Sequence, residues 1–134
     1  MLGIARSVIP DAELIHGDLV TAALPRIFDG IVTWDSVFHI PRETHAAIFA
    51  RLAGWLNPGG VLLLSLGGSD WEGTSPVLGH DFFYSGYRPK KNRALLEAAG
   101  FEVLTWDVDD TSSRGHLAII ARKTDAMRQS PPGA

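Results

Sequence analysis

The tetrapeptide Asn57-Pro58-Gly59-Gly60 restricts what this chain can build more than any other stretch. Proline cannot continue a helix, because it lacks the amide proton and its ring meets the preceding turn, and the glycines open positive φ to the backbone. A helix must stop there and the chain must reverse. Upstream, residues 42–56 carry Ile48, Phe49, Leu52, Trp55 and Leu56 at three- and four-residue spacing behind Pro41, which suits a first-turn position. That segment reads as a helix with one apolar stripe. Downstream, residues 61–66 form a near-continuous apolar run, the mark of a strand buried on both faces. A helix reversing into a buried strand is the unit of an α/β layer architecture.

The remaining segments fit that architecture. Residues 13–16, stopped by Gly17-Asp18, and residues 30–34, preceded by Phe28-Asp29, read as short strands. Residues 67–87 are rich in glycine and aromatic side chains without a clear period, so they read as a long loop on the substrate side. Pro89 opens a second helix through Lys91, Leu95, Leu96 and Ala99, closed by Gly100. Strands over 102–108 and 116–121 follow, joined by turn chemistry over 109–115. The end of the chain, Ser130-Pro131-Pro132-Gly133-Ala134, has nothing apolar to bury, so one domain is expected over 1–123 and a disordered tail over 124–134.

Composition narrows the function classes. Twelve Lys and Arg against 15 Asp and Glu give a net charge of -3, with no basic run longer than Lys90-Lys91, which leaves no footprint for nucleic acid. The absence of cysteine excludes a disulfide framework, thiolate zinc and thiol catalysis. No apolar run approaches the ~20 residues of a membrane helix, and a cytoplasmic domain without membrane partners is expected. The five histidines, His16, His39, His45, His80 and His116, show no metal-ligand spacing, so no metal site is expected. Asp35, Ser36 and His39 lie too close in sequence for a nucleophilic triad, which converges groups from separate elements. His39 follows a strand end and suits a general base; the plainer alternative is a histidine that hydrogen-bonds backbone or water.

The element order, with Gly17-Asp18 after one strand, Phe28-Asp29-Gly30-Ile31-Val32 leading the next, Leu56-Asn57-Pro58-Gly59-Gly60 before a buried strand and Ala99-Gly100-Phe101 before the last pair, resembles class I S-adenosylmethionine-dependent methyltransferases. The resemblance implies a truncated, three-layer Rossmann-like sheet with a C-terminal antiparallel strand pair. It also implies S-adenosylmethionine as cofactor, a small-molecule methyl acceptor, Asp18 and Leu19 at the adenine, and Trp34 and Asp35 along the cofactor toward the substrate. His39 would accept a proton. Trp71, Phe82, Phe83, Tyr84 and Tyr87 would form an apolar substrate wall, or alternatively cover the open top of the sheet.

The departure from the family pattern is as informative. No two glycines stand two apart, so the Gly-x-Gly of the cofactor-gripping loop is absent, and nothing before Glu13 supplies the acidic second strand. The expectation is a chain that begins inside the fold, short of a βαβ unit of roughly 30 residues or more. That would leave a hydrophobic edge near Ile31 and Trp34, which must pair. The strand over 13–16 moving alongside, a second copy, or an upstream polypeptide would each cover it, and self-association is the expectation. The competing functional reading is a catalytically inactive assembly or binding module.

Overall fold

A computed structural model describes residues 2–112 and 114–124. The chain opens with α1 (Leu2–Val8), continues without regular structure to β1 (Phe28–Thr33), and passes through two short 3-10 turns into α2 (His45–Gly54). Then come β2 (Leu56–Gly67), β3 (Trp71–Val77), β4 (His80–Gly86), α3 (Pro89–Ala98), β5 (Phe101–Asp110) and β6 (His116–Lys123). The main sheet has the order β1-β2-β6-β5, with β1 parallel to β2 and the other neighbours antiparallel. The α/β class and the terminal antiparallel pair are therefore as the sequence predicts.

The helix stop acts as expected but lies inside a strand. α2 ends at Gly54, and Leu56 already pairs with Phe28 before Asn57-Pro58-Gly59-Gly60 bulges out, so that the next pair is Gly30 with Val61. Gly59 takes φ +81, and a Cβ on Gly60 would sit 2.8 Å from the Asn57 carbonyl oxygen, so neither position accepts a side chain without rearrangement. Asn57 Nδ2 donates to Asp29 Oδ1 at 2.9 Å and ties the bulge to β1.

The core lies on one face of the sheet. Ile48, Phe49 and Leu52 of α2 and Leu96 of α3 pack on Leu62, Leu64, Leu66, Leu117 and Ile119, all at most 1% exposed. Side chains alternate along a strand, so Val32, Val61 and Ile120 fall on the opposite face, where they are 68%, 40% and 38% exposed. Of the three layers expected, the described residues form two; α1 buries none of its residues. The run at 61–66 is buried along the whole of that face, whereas on the other face Val61 is exposed, Leu63 is half-buried and Ser65 alone is buried.

Two further expectations are corrected. Residues 13–16 form no strand: a strand needs a ladder partner, and these residues find none, being held by the Glu13–Arg26 ion pair at 2.7 Å instead. The long loop over 67–87 is mostly a β3–β4 hairpin, separate from the main sheet and closed by a two-residue turn in which Leu78 and Gly79 both take positive φ (51° and 79°). Such a turn matches strand twist, but it usually signals itself as Asn-Gly or Asp-Gly. Among the described residues no helix is long and apolar enough to cross a membrane. The tail expected over 124–134 lies outside the described residues except for Thr124, whose amide and hydroxyl both donate to the Gly100 carbonyl.

Candidate active site

Open α/β sheets take ligands at the carboxyl ends of their strands. Here β1 and β2 are the parallel pair; β1 runs out into Trp34-Asp35 and β2 into Gly67-Gly68. A cleft of about 520 Å³ opens at these ends, walled by Trp34, Asp35 and Phe38, by Trp71 and Tyr84 of the hairpin, and by Asp109, Arg114 and His116 around the β5–β6 turn.

Its floor is a meeting of backbones. The Gly68 amide donates to the Gly115 carbonyl at 3.0 Å, a Cβ on Gly68 would lie 3.1 Å from the Gly115 carbonyl carbon, and one on Gly86 would lie 3.0 Å from the Ser69 oxygen. Glycine allows β2, the hairpin and the β5–β6 turn to converge there. Asn92 of α3, 1% exposed, holds the same corner by donating to the Gly67 and Tyr87 carbonyls at 3.1 and 2.9 Å.

Asp35 adopts φ +53, an uncommon conformation for a residue with a side chain, and strain of this kind gathers at functional sites. Ser65, fully buried on β2, holds it: the Asp35 amide donates to Ser65 Oγ at 2.7 Å, and that hydroxyl donates to Asp35 Oδ1 at 3.1 Å. Opposite stands His116, 22% exposed, with Nε2 at 2.8 Å from Asp35 Oδ1 and Nδ1 at 2.5 Å from Asp109 Oδ1. Burial disfavours the imidazolium, but the hydrogen bonds to Asp109 and Asp35 outweigh it and raise the pKa above 6.5. His45, 1% exposed at the start of α2, is the reverse case: burial lowers its pKa below 6.5 despite the carbonyls of Ile40 and Val37.

These shifts have opposite consequences for stability. The raised His116 contributes in full below pH 6.5 and loses its contribution as pH rises through its folded value; the lowered His45 contributes above pH 6.5 and loses it as pH falls toward its folded value. The stability difference between the wild type and His116→Gln, measured by urea unfolding, is therefore expected to shrink from pH 6 to pH 8.5. A difference independent of pH would contradict the assignment.

The structure divides the residues that sequence reasoning selected. Trp34 and Asp35 line the cleft, as do Trp71, under the Arg114 guanidinium at 3.8 Å, and Tyr84. Asp18 and Leu19 do not. The Asp18 carboxylate accepts from the Val20 amide at 2.8 Å, and Leu19 packs against the core, its carbonyl bonded by Arg51 Nε at 3.2 Å. His39 lies on the 3-10 turn Val37–His39, its Nδ1 2.7 Å from the Phe83 carbonyl and its ring 4.8 Å from Tyr84 and 6.0 Å from Phe82. Tyr87 stacks with Arg42 at 5.2 Å, away from the cleft.

Sequence reasoning gives His116 as a histidine without metal-ligand spacing and Asp109 as a turn carboxylate, and joins neither to a site. The only signal was their seven-residue spacing across a stretch of turn chemistry; Asp35 lies 81 positions before His116. Asp110 does what turn aspartates do, accepting from the Ser112 amide and hydroxyl at 2.8 and 2.6 Å, and those bonds lower its pKa.

No protein-family profile and no curated protein matches the sequence. Solved structures do. An S-adenosylmethionine-dependent methyltransferase from Clostridium acetobutylicum superposes with a TM-score of 0.73 at 12% identity, over 92% of this chain and 71% of that one. The 1,6-didemethyltoxoflavin-N1-methyltransferase of Burkholderia thailandensis gives 0.65 at 21% identity, over 83% of this chain and 50% of that one. CalS10, an amino pentose methyltransferase from Micromonospora echinaspora, gives 0.66 at 19% identity, over 92% of this chain and 70% of that one. The chain thus spans between half and about seven tenths of these proteins. From strand order, strand-end cleft and superposition together, it has the Rossmann-like α/β fold of the S-adenosylmethionine-dependent methyltransferases.

Proposed function

We propose that this chain is a methyltransferase domain that takes S-adenosylmethionine and a small-molecule acceptor at the strand-end cleft. The observation that carries the reading is the placement of Trp34 and Asp35 at the carboxyl end of β1, in a cleft on the methyltransferase fold. The lining suits a sulfonium: a carboxylate with an indole beside it attracts a cation, and the glycine floor leaves room for backbone contact. When bound, the cofactor supplies an activated methyl carbon for in-line displacement.

The protein's share of such chemistry is mostly positioning. Asp35 and Trp34 would orient the cofactor, while Trp71 and Tyr84 exclude water and hold the acceptor. His39 donates Nδ1–H to the Phe83 carbonyl, which leaves Nε2 as a proton acceptor next to Tyr84. Asp18 and Leu19, the latter with its carbonyl bonded by Arg51, stand outside the cleft lining and are read as an adenine end beyond it, and Phe82, Phe83 and Tyr87 are read with the substrate wall although they too stand outside that lining. Calorimetric titration with S-adenosylmethionine tests the reading, and Trp34→Ala is expected to weaken binding about tenfold, or ~1.4 kcal/mol. An unchanged affinity in that variant would remove the cleft from the binding site.

We further infer that a second copy of the chain covers the edge of β1. In this sheet β1 is an outer strand; Val32 within it is 68% exposed, and Ile27 and Trp34, which flank it, are 55% and 43% exposed. A long apolar edge pairs or aggregates unless it is blunted. Sedimentation at micromolar concentration is expected to show a dimer that Val32→Lys dissociates; a monomer throughout would contradict the inference.

A further inference from the structure

The methyl-transfer reading places Asp35 along the cofactor but uses neither His116 nor Asp109, which form a constellation with it. A neutral imidazole has one N–H, yet both ring nitrogens of His116 lie within hydrogen-bond distance of a carboxylate oxygen. Only the imidazolium donates to both. The ring is thus a fixed cationic clasp between the end of β1 and the end of β5, with Asp110 the further acidic neighbour on β5 and Arg114 the basic group of the β5–β6 turn.

The clasp decides how Asp35 is presented. Its Oδ1 takes both the His116 and the Ser65 hydrogen bonds, while Oδ2 takes none from any described residue, and the side chain is 55% exposed at the cleft. A carboxylate held by two donors on one oxygen and open on the other is a pre-oriented acceptor for a single N–H. Around it, Trp34 and Phe38 put ring centroids 5.3 and 6.1 Å from that of His116, and Tyr84 stands 5.8 Å from Phe38. The Arg114 guanidinium lies on Trp71, so the aromatic surface near Asp35 is left to a ligand. Carboxylates with aromatic faces favour a cation and repel an anion.

We propose that the methyl acceptor is an amine that reaches the cleft as an ammonium, that Asp35 Oδ2 receives it with His116 as the positioning residue that holds Asp35 for it, and that the bound ammonium gives one proton to solvent at the open cleft, which frees the nitrogen lone pair to take the methyl group. The proposal rests on the methyl-transfer reading for the word acceptor, but the amine site is tested separately. Benzylamine and benzyl alcohol serve as probes of equal size, charged and neutral, titrated by NMR into the full chain at pH 7, with S-adenosylhomocysteine calorimetry run in parallel.

Benzylamine is expected to bind at least tenfold tighter than benzyl alcohol. Asp35→Asn, nearly isosteric and checked for folding by circular dichroism, is expected to abolish that preference, and His116→Gln to reduce it three- to tenfold. The clasp has its own signature: nitrogen-15 shifts should show both His116 ring nitrogens protonated at pH 7 in the wild type, and Asp109→Asn should remove this. Equal binding of the two probes, a preference that survives Asp35→Asn, or a neutral His116 in the wild type would overturn the proposal. Silence toward S-adenosylhomocysteine alongside an Asp35-dependent preference would leave the amine site standing and sink the methyl-transfer reading instead.

Discussion

Phe49→Ala is expected to cost about 3–5 kcal/mol of folding stability, the range for truncating a fully buried phenylalanine. Phe49 is 0% exposed in the middle of α2, between Ile48 and Leu52, and only one face of the sheet is covered, so this core has no second layer to share the loss. Its neighbours cannot collapse easily into the void: Leu62 and Leu64 are fixed by β2's ladders on both sides and Leu66 by the β6 ladder, and the His45 ring, 6.2 Å away, is tied to the Ile40 carbonyl. Against a total stability of ~5–15 kcal/mol for an ordinary domain, the loss would leave a substantial unfolded fraction. Urea unfolding of the two proteins measures it; a difference below about 1 kcal/mol would mean that Phe49 is not packed as described.

Asn92→Leu is expected to cost about 2–4 kcal/mol although it adds apolar surface to a buried site. The side chain's size changes little, but the Gly67 and Tyr87 carbonyls lose their amide donor inside the protein, and each orphaned acceptor costs ~1–3 kcal/mol. Because Gly67 is also the end of β2 at the cleft floor, the effect should extend beyond stability: amides at Gly67, Gly68 and Gly115 should exchange hydrogen faster in the variant than those at the middle of β6. Hydrogen exchange alongside urea unfolding checks both parts. A neutral or stabilising substitution would show that these two bonds contribute nothing net.

The parts of this fold that were legible in the sequence are those where one local signal acts alone. The α2 stripe, the stop at Pro58 and the Gly100 turn, with φ +99, each follow from a backbone rule that tertiary context does not override. The β3–β4 hairpin was hidden because Gly73 and Pro76 interrupt its alternation and because Leu78, at φ +51, stands where a turn-forming asparagine would have marked it. Residues 13–16 have the composition of a strand but not the neighbour, and pairing is a property of two segments. The site shows the same division. Trp34 and Asp35 follow from the family resemblance, carried over by position at a strand end, whereas the clasp around His116 depends on a register: Asp109 meets it because the β5 ladder shifts between Val108 and Asp110.

If the strand-end cleft on this fold holds S-adenosylmethionine, calorimetric titration of the wild-type chain with that compound gives saturable heat with a dissociation constant in the micromolar range, about -8 kcal/mol of binding free energy. No heat up to millimolar cofactor would contradict cofactor binding there and would favour the reading of the chain as an assembly or binding module without methyltransferase activity.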